Sequence, residues 1–489
     1  MVSSYEAVIG LEVHAQLHTK SKLFCGCATA YGAPPNAHVC PVCLGLPGAL
    51  PVPNAEAIAL AVRAGLALGC DVATSSRFAR KNYCYPDLAK GYQISQFELP
   101  LNARGALEVE LPSGTKRIGI TRIHVEEDAA KNLHGVGAGT DTLVDFNRAG
   151  TPLIEIVSEP DLRSAEEAEA YLRKLRDILM FTGVNDGNLE EGSFRCDANV
   201  SIRPAGDETL GTRTEIKNVN SFRFVRMAIE HEIARQQAVV EAGGEVVQET
   251  RTWSESHHKT RSMRTKEDAH DYRYFPDPDL PPLVVAQARI DAIGAALPEL
   301  PDAKRTRWRA ELGLTEYDAQ VLSAHPAVAR YFDEVASALC AQAGGAARDE
   351  VGKRAANFVQ AEILGHVEQA GLDARFPVPA AALAELLRLV ERDVINGKIA
   401  KRVLSEMIES GEGAEAIVER EGLAQVTDAG AIEAAVRAAI DAHPAQVAQY
   451  RAGKTAVLGF FVGQVMKANR GAANPKQVNA LLRELLGEP

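Results

Sequence analysis

The sequence predicts an α+β N-terminal region built on a mixed or antiparallel sheet, followed by all-α helical and tail domains. Up to about residue 290, alternating apolar and polar segments interleave with a few amphipathic helices and are broken by Gly and Pro. Beyond Leu297-Pro-Glu-Leu-Pro-Asp302 the strand signals vanish, and Ala-rich helical periodicity runs to the C-terminus. A length of 489 residues also exceeds what one hydrophobic core supports, so roughly two to four domains are expected. The expected division is 1–295, 296–405 and 406–489.

Several strands carry polar groups on one face. In Gly10-Leu-Glu-Val-His-Ala-Gln-Leu17, Leu11, Val13, Ala15 and Leu17 project one way, and Glu12, His14 and Gln16 the other. Ile120 to Asp128 sets Arg122, His124 and Glu126 on one face, with Glu127 and Asp128 at its exit. Glu155 sits inside the apolar strand Leu153-Ile-Glu-Ile-Val157, where a carboxylate is costly unless paired or metal-bound. Arg195, Asp197, Asn199, Ser201 and Arg203 alternate against Cys196, Ala198, Val200 and Ile202, and Glu215 and Lys217 flank Ile216. Acids, amides and cations are thus expected to converge on a shared cavity. Such a mixture suits ATP chemistry, in which oxygen ligands hold Mg²⁺ and cations stabilise the transferring phosphoryl group. A structural ion-pair network is the competing explanation.

Two helices are well marked. Ser164, with Glu167 three residues on, forms a capping box ahead of the stripe Ala168, Leu172, Leu175, Ile178 and Leu179. The second begins near Ser221 and ends at Gly243-Gly244. The proline-rich Tyr274 to Pro282 cannot be regular helix or central strand. Gly135-Val-Gly-Ala-Gly139 is expected to be a hairpin turn. Ala452-Gly-Lys-Thr455 imitates the end of a P-loop, but Ala448 stands where its first glycine belongs and a helical pattern precedes it. No glycine-rich Ser-Ser amidase stretch and no nucleophile elbow occurs, so ammonia, if needed, must come from another chain.

Hydrophobic residues make up 46%, charged residues 24% and aromatics 6%, an ordinary globular composition. No apolar run approaches the ~20 residues that span a bilayer, and Met-Val-Ser-Ser-Tyr-Glu has no secretory pattern. A cytoplasmic chain with no membrane partner is expected. The net charge of −12 is unlike a nucleic-acid binder, yet Arg451 to Pro489 carries six Lys/Arg (Arg451, Lys454, Lys467, Arg470, Lys476, Arg483) against Glu484 and Glu488.

Eight cysteines in a cytoplasmic chain do not suggest disulfides. Cys25-Gly-Cys27 and Cys40-Pro-Val-Cys43 instead form two short-spaced pairs, the pattern with which thiolates close a tetrahedral zinc shell. A full shell of four makes the knuckle at 25–43 structural, not catalytic. Cys70, Cys84, Cys196 and Cys340 are expected to be small buried or neutral residues.

Together these segments resemble the B-subunit family of the tRNA-dependent amidotransferase. The matching stretches include Val8 to His14, Arg80-Lys-Asn-Tyr83, Tyr85-Pro-Asp87, Gly91 to Gln96, His124 to Asp128, Asp145-Phe-Asn-Arg148, Gly150 to Asp161, Glu191 to Val200, Lys217 to Ser221, Asp271 to Pro276 and Gly459 to Lys467. Ala130 departs from the glycine that the family usually has there. The resemblance implies a cradle-shaped N-terminal domain, a helical domain and a helical tail that grips tRNA. It implies a carbon–nitrogen ligase of protein biosynthesis that binds ATP, phosphorylates the side-chain carboxylate of mischarged Glu-tRNA(Gln) or Asp-tRNA(Asn), and displaces phosphate with ammonia. Glutamine would be the amido donor, hydrolysed by the glutaminase (the amidase, or A, subunit), with the small C subunit completing a heterotrimer.

Carried over to matching positions, the magnesium ligands would be Glu12, His14, Glu127 and Glu155, with Glu126, Asp197 and Glu215 near them. Arg80, Lys81, Arg122, Arg195 and Lys217 would face the nucleotide, and Lys454, Lys467 and Arg470 the tRNA. The alternative from another class is a non-catalytic, zinc-stabilised tRNA-binding scaffold, motivated by the knuckle and the basic tail.

Overall fold

The computed structural model describes residues 5–135, 142–265, 272–341, 348–424, 429–469 and 475–487. By contact density the chain divides into Met1–Ala303 and Lys304–Pro489.

In the first unit the strands follow in the order β1 (Tyr5–Gln16), β2 (Asp71–Val72), β3 (Ser75–Ser76), β4 (Ala79–Asn82), β5 (Tyr92–Ser95), β6 (Asn102–Leu111), β7 (Gly114–Glu127), β8 (Lys131–His134) and β9 (Thr142–Asp145). They continue with β10 (Pro152–Ser158), β11 (Phe194–Pro204), β12 (Thr214–Val219), β13 (Glu249–Ser254), β14 (Lys259–Thr265), β15 (Phe275–Pro276) and β16 (Leu283–Val284). Nine of them form one sheet in the order β14-β13-β12-β11-β1-β10-β7-β6-β2. Its pairings are antiparallel apart from the parallel pair β12 and β13, which gives the mixed sheet the sequence predicts.

Alternation decides which side of this sheet is dry. Leu11, Val13 and Ala15 of β1, Ile123 and Val125 of β7, Ile154 and Ile156 of β10, and Ala198 and Val200 of β11 are all buried in one core. Helices α1 (Ala55–Ala67), α2 (Ala165–Phe181) and α3 (Phe222–Glu241) cover that face, packing on β7, β6 and β11 respectively. Each fully buried Leu, Ile or Val contributes about 1.5–3 kcal/mol. Slipping β1 by one residue would turn Glu12 and His14 into this core, so the apolar half of the pattern fixes where the polar half faces.

The marked helices form where expected. Ser164 caps α2 by accepting from the Glu167 amide at 3.1 Å, while the Glu167 carboxylate reaches back to the amide of Arg163. Ser221 caps α3 through the Phe224 amide. In α3, Glu232 is fully buried and accepts from Arg235 at 2.6 Å, Gln236 at 3.0 Å and Thr260 at 3.0 Å, with Arg251 of β13 at 3.4 Å. Burial would raise its pKa, but these donors hold it below the usual carboxylate value.

Replacing Glu232 with Gln keeps its shape and removes its charge. The expected loss is about 1.5–3 kcal/mol, measured by denaturant unfolding followed through Trp253 fluorescence. Because the folded pKa is depressed, the carboxylate's contribution is complete above its unfolded pKa and is lost as pH falls through the folded value.

Two connections show local chemistry. Gly150, at φ +83°, turns the chain into β10 and donates to the Asp128 carbonyl, a left-handed conformation that favours glycine. Asn147 and Asp145 tie the cysteine loop to the end of the β8–β9 hairpin: Asn147 Oδ1 accepts from the His38 amide at 2.8 Å, and Asp145 Oδ1 from the Asn36 amide at 3.0 Å. β8 and β9 pair as the expected hairpin arms. The turn residues beyond Gly135 fall at 136–141, outside the described residues.

Tyr274 to Pro282 is neither helix nor central strand: β15 pairs only with β4, beside β5, in a separate three-stranded sheet. Cys70 and Cys196 are buried as expected and Cys340 is half-buried, but Cys84 is exposed.

The second unit is helical, with one departure from expectation. Glu368–Ala370 and Asp373–Arg375 pair as a tiny antiparallel hairpin around Gly371 at φ 59°, too short to leave a periodic signal. Helices Pro326–Cys340, Ala380–Glu391 and Gly397–Ser410 bury aliphatic stripes. Position 405/406, where the sequence suggests a boundary, lies inside Gly397–Ser410. Further on, Ala429–Ala442, Leu458–Ala468 and Pro475–Leu486 enclose their own core of Ile432, Val436, Phe461, Val465, Val478 and Leu482. Helix Pro444–Arg451 precedes the Ala452-Gly-Lys-Thr455 stretch, so it lacks a P-loop's strand.

Candidate functional site

The polar face of the sheet gathers its groups by register. His14 of β1 lies opposite Glu155 of β10, which lies opposite His124 of β7, and on its other side His14 pairs with Arg195 of β11. One step along, Glu12 pairs with Asp197, and Asn199 pairs with Glu215 of β12. Strands from distant parts of the chain thereby bring five carboxylates, Glu12, Glu126, Glu155, Asp197 and Glu215, to one face.

At the centre, His14 Nε2 is 3.4 Å from Glu155 and 4.0 Å from Glu126, while His124 Nε2 is 3.4 Å and 3.5 Å from the same two acids. Ser95 of β5 donates to Glu126 Oε2, the oxygen that His124 also faces, at 3.0 Å. Burial would raise Glu155, but His124 and His14 hold it well below the usual carboxylate value. Burial conversely lowers His124, and Glu155 and Glu126 outweigh it, holding the imidazole up at about 9. Glu12, which accepts from Asn199 at 3.0 Å, is raised by burial and then by Glu155.

The donor set fits a hard divalent cation. His14, Glu126 and Glu155 each offer one atom within 4.8 Å of the others. Ligands on an octahedral Mg²⁺ sit about 3 Å apart when adjacent and about 4.2 Å when opposite, so the observed spacings suit carboxylate oxygens with one imidazole.

Glu127 is not brought to this group. One residue past Glu126, it takes the opposite side of β7, accepting from Lys90 and from the Ile94 amide at 2.9 Å, and lining a cavity of about 150 Å³ with Cys25, Cys43 and Tyr92. Sequence alternation separates the two glutamates once β7 is known to stay regular to its end.

The candidate phosphate-facing cations divide. Arg80 is held by Asp277 at 2.9 Å and Asp279 at 2.8 Å. Arg195 is held by Asp128 at 2.8 Å, which also accepts from Gln16, and Lys217 by Asp197 at 2.7 Å and Glu215 at 3.0 Å. Among the described residues, the side chains of Lys81 and Arg122 make no hydrogen bond or ion pair. Lys81 lies over the Tyr272 ring at 4.9 Å; burial would lower its pKa, but Glu126, Tyr274 and Glu155 keep it firmly charged. Arg122 is half-buried on the face that carries His124 and Glu126. His124 and the tyrosines around Lys81 are absent from the ligand set drawn from the resemblance; alternation had placed His124 on the right face.

The cysteine pairs converge as their spacing predicts, with Cys25, Cys27, Cys40 and Cys43 offering sulfurs within 4.8 Å of one another. A hydrogen bond from Cys25 drives the Cys43 thiol well below its ordinary pKa, helped by the Cys40 amide at 3.1 Å and the Lys22 charge. Lys22 is itself fully buried, its ammonium donating to the His38 carbonyl at 2.7 Å. Four converging cysteines, one of them with its pKa lowered towards the thiolate, are a donor set that Zn²⁺ fits. In the second unit, Lys454 and Lys467 are exposed, and Arg470 lies outside the described residues.

The unit that carries the acid–histidine group and the four cysteines on and beside its mixed sheet is matched by the GatB/GatE catalytic domain model over residues 7–291, and the GatB domain model matches 342–486. The chain belongs to the B-subunit family of aspartyl/glutamyl-tRNA(Asn/Gln) amidotransferase. It is 57% identical over 486 residues to the B subunit of that name from Geobacter sulfurreducens, covering 99% of each chain. It is 56% identical over 485 residues to the one from Geotalea uraniireducens, covering 99% of each, and 55% identical over 488 to that from an Anaeromyxobacter species, covering 100% of each. No helix among the described residues is long and apolar enough to cross a membrane.

Proposed function

We propose that this chain is the ATP-using, tRNA-recognising member of a cytoplasmic complex that amidates Glu-tRNA(Gln), Asp-tRNA(Asn) or both. The observation that carries this reading is the His14–Glu155–His124–Glu126 group, with Lys81 and Arg122 beside it, whose side chains make no hydrogen bond or ion pair among the described residues. Phosphorylating the esterified residue's side-chain carboxylate makes it a good acyl donor; ammonia then forms the amide and phosphate leaves. The ammonia comes from a separate glutaminase (A) subunit, with a small (C) subunit joining the two, because no amidase pattern occurs in this sequence.

His14, Glu126 and Glu155 would hold Mg²⁺, with Glu12 beside them, and the ion would supply charge neutralisation at the phosphates. Arg122 and Lys81 are placed to neutralise charge on the transferring phosphoryl oxygens. Arg80, Arg195 and Lys217, already paired to acids, position strands and carboxylates. Zn²⁺ on the four cysteines would be structural.

The decisive assay is ATP-dependent amidation of both mischarged tRNAs by the complex reconstituted with its glutaminase. Full turnover in Glu12→Ala and His14→Ala variants would refute the site. tRNA binding without ATP consumption would instead favour the zinc-stabilised scaffold.

The C-terminal helices are proposed as the tRNA grip. Deleting residues 425–489, which carry the tail core and its basic excess, is expected to weaken tRNA binding at least about tenfold and to flatten its salt dependence while zinc stays bound. Unchanged affinity in a nitrocellulose-retention assay overturns the tail assignment.

A further inference from the structure

Beside the carboxylate group lies a set of aromatic rings for which the reaction above has no use. Phe97 and Tyr274 stack in parallel, their centroids 4.3 Å apart at 7°. Tyr274 and Tyr83 each meet Tyr272 edge-on, at 6.1 Å and 5.8 Å. Lys81 joins this set to the site: it lies over Tyr272, and its charge is held up by Glu126, Glu155 and Tyr274 together. Phe97 has one face covered by Tyr274 and is still 53% exposed.

The backbone that delivers two of these rings is strained. Arg273, exposed between Tyr272 and Tyr274, has φ 41°, a left-handed conformation that a non-glycine residue rarely adopts. Asn82 maintains it, donating its side-chain amide to the Arg273 carbonyl at 2.9 Å and its backbone amide to the Tyr272 carbonyl at 3.0 Å. Pairing of Phe275 with Arg80 secures the following residue. Strain upheld in this way gathers at ligand clamps.

We propose that Phe97 stacked on Tyr274 is a docking platform for an unpaired nucleobase at the 3′ end of the aminoacyl-tRNA. The inference rests on the function proposed above, since it supplies what that function requires. The reacting carboxylate is tethered by an ester to the terminal nucleotide, so that nucleotide must lie beside the acid–histidine group, where these rings are. Unpaired bases stack on aromatic side chains, and cationic neighbours such as Lys81 and Arg273 suit the adjoining phosphates. A small nucleotide's base is normally enclosed in its pocket, whereas an aromatic residue as exposed as Phe97 suits a base in a strand that continues over the surface.

The test is a double-mutant cycle on the full complex, measuring the Kd of tRNA without ATP for wild type and Phe97→Ala, each with intact tRNA and with tRNA lacking its unpaired 3′ nucleotides. Phe97→Ala is expected to weaken intact tRNA about 5–150-fold and truncated tRNA less than about twofold, and Phe97→Trp should restore binding. Because no turnover is needed, this result is distinct from failure of the amidation assay. Equal weakening of both tRNAs, no weakening of either, a raised Kd for ATP instead, or loss of a co-purifying partner would each overturn the platform.

Discussion

Replacing Glu155 with Gln in the assembled enzyme is expected to lower the rate of ATP-dependent amide formation about 10²–10³-fold while leaving the fold intact. The size of the effect follows from where the charge sits. Glu155 stands between two imidazoles, with His14 and His124 each 3.4 Å from one of its oxygens. It is also one of the three donors that a divalent cation would share. A glutamine there keeps the volume and one oxygen but removes the charge that both histidines and the ion depend on.

Three measurements separate this outcome from mere damage. The Kd for Mg²⁺ should rise, thermal unfolding should stay cooperative with a loss of no more than about 3 kcal/mol, and tRNA binding without ATP should stay within about twofold of wild type. If the variant keeps wild-type turnover at low Mg²⁺, the acid–histidine group is not where the phosphoryl chemistry occurs.

The same residues show what was legible in the sequence. Period-two alternation was enough to put Glu12, His14, His124, Glu126, Asp197 and Glu215 on polar faces, because the opposite positions are apolar and a half-buried strand has only one way to turn. Which strands are neighbours was not legible, since the order of β7, β10, β1 and β11 depends on pairings between residues far apart in the chain, more than a hundred positions in the case of β1 with β10 and with β11. For the same reason the sequence could not sort the cations. Arg80 is neutralised by Asp277, 197 residues away, while Lys81 next to it has no such partner among the described residues. Glu126 and Glu127 are adjacent in a carboxylate-rich motif, and only the regularity of β7 to its last residue separates the one that faces His14 from the one that faces Lys90. Local signals fared better: the Ser164 and Ser221 caps needed nothing beyond their own first turns.

Replacing Cys40 and Cys43 with Ser is expected to abolish zinc binding and to unfold the loop that they close. A structural zinc shell in small peptides contributes about 10–16 kcal/mol, which exceeds any other single contribution considered for this chain. The loop between the cysteine pairs has little else to hold it. Tyr31, Leu46, Leu50 and Val52 in and beside it are exposed, and its ties to the rest of the unit include hydrogen bonds through Asp145 and Asn147 at the end of the β8–β9 hairpin and from Lys22 to the His38 carbonyl. The Cys43 replacement would also leave the fully buried Lys22 ammonium without the sulfur whose pKa its charge lowers, so damage should extend to the Gly150 turn, whose carbonyl accepts from the Leu23 amide. Elemental analysis of the wild-type protein should return one zinc per chain, and the double variant none. Limited proteolysis should then cut between Cys27 and Cys40 in the variant and not in the wild type. The consequence for chemistry is indirect: Gly150 begins the segment that enters β10, so a disordered knuckle lowers amidation by loosening Glu155, and added Mg²⁺ should recover part of it. A zinc-free wild-type protein with an intact, protease-resistant loop would show that the four thiols pack as neutral groups.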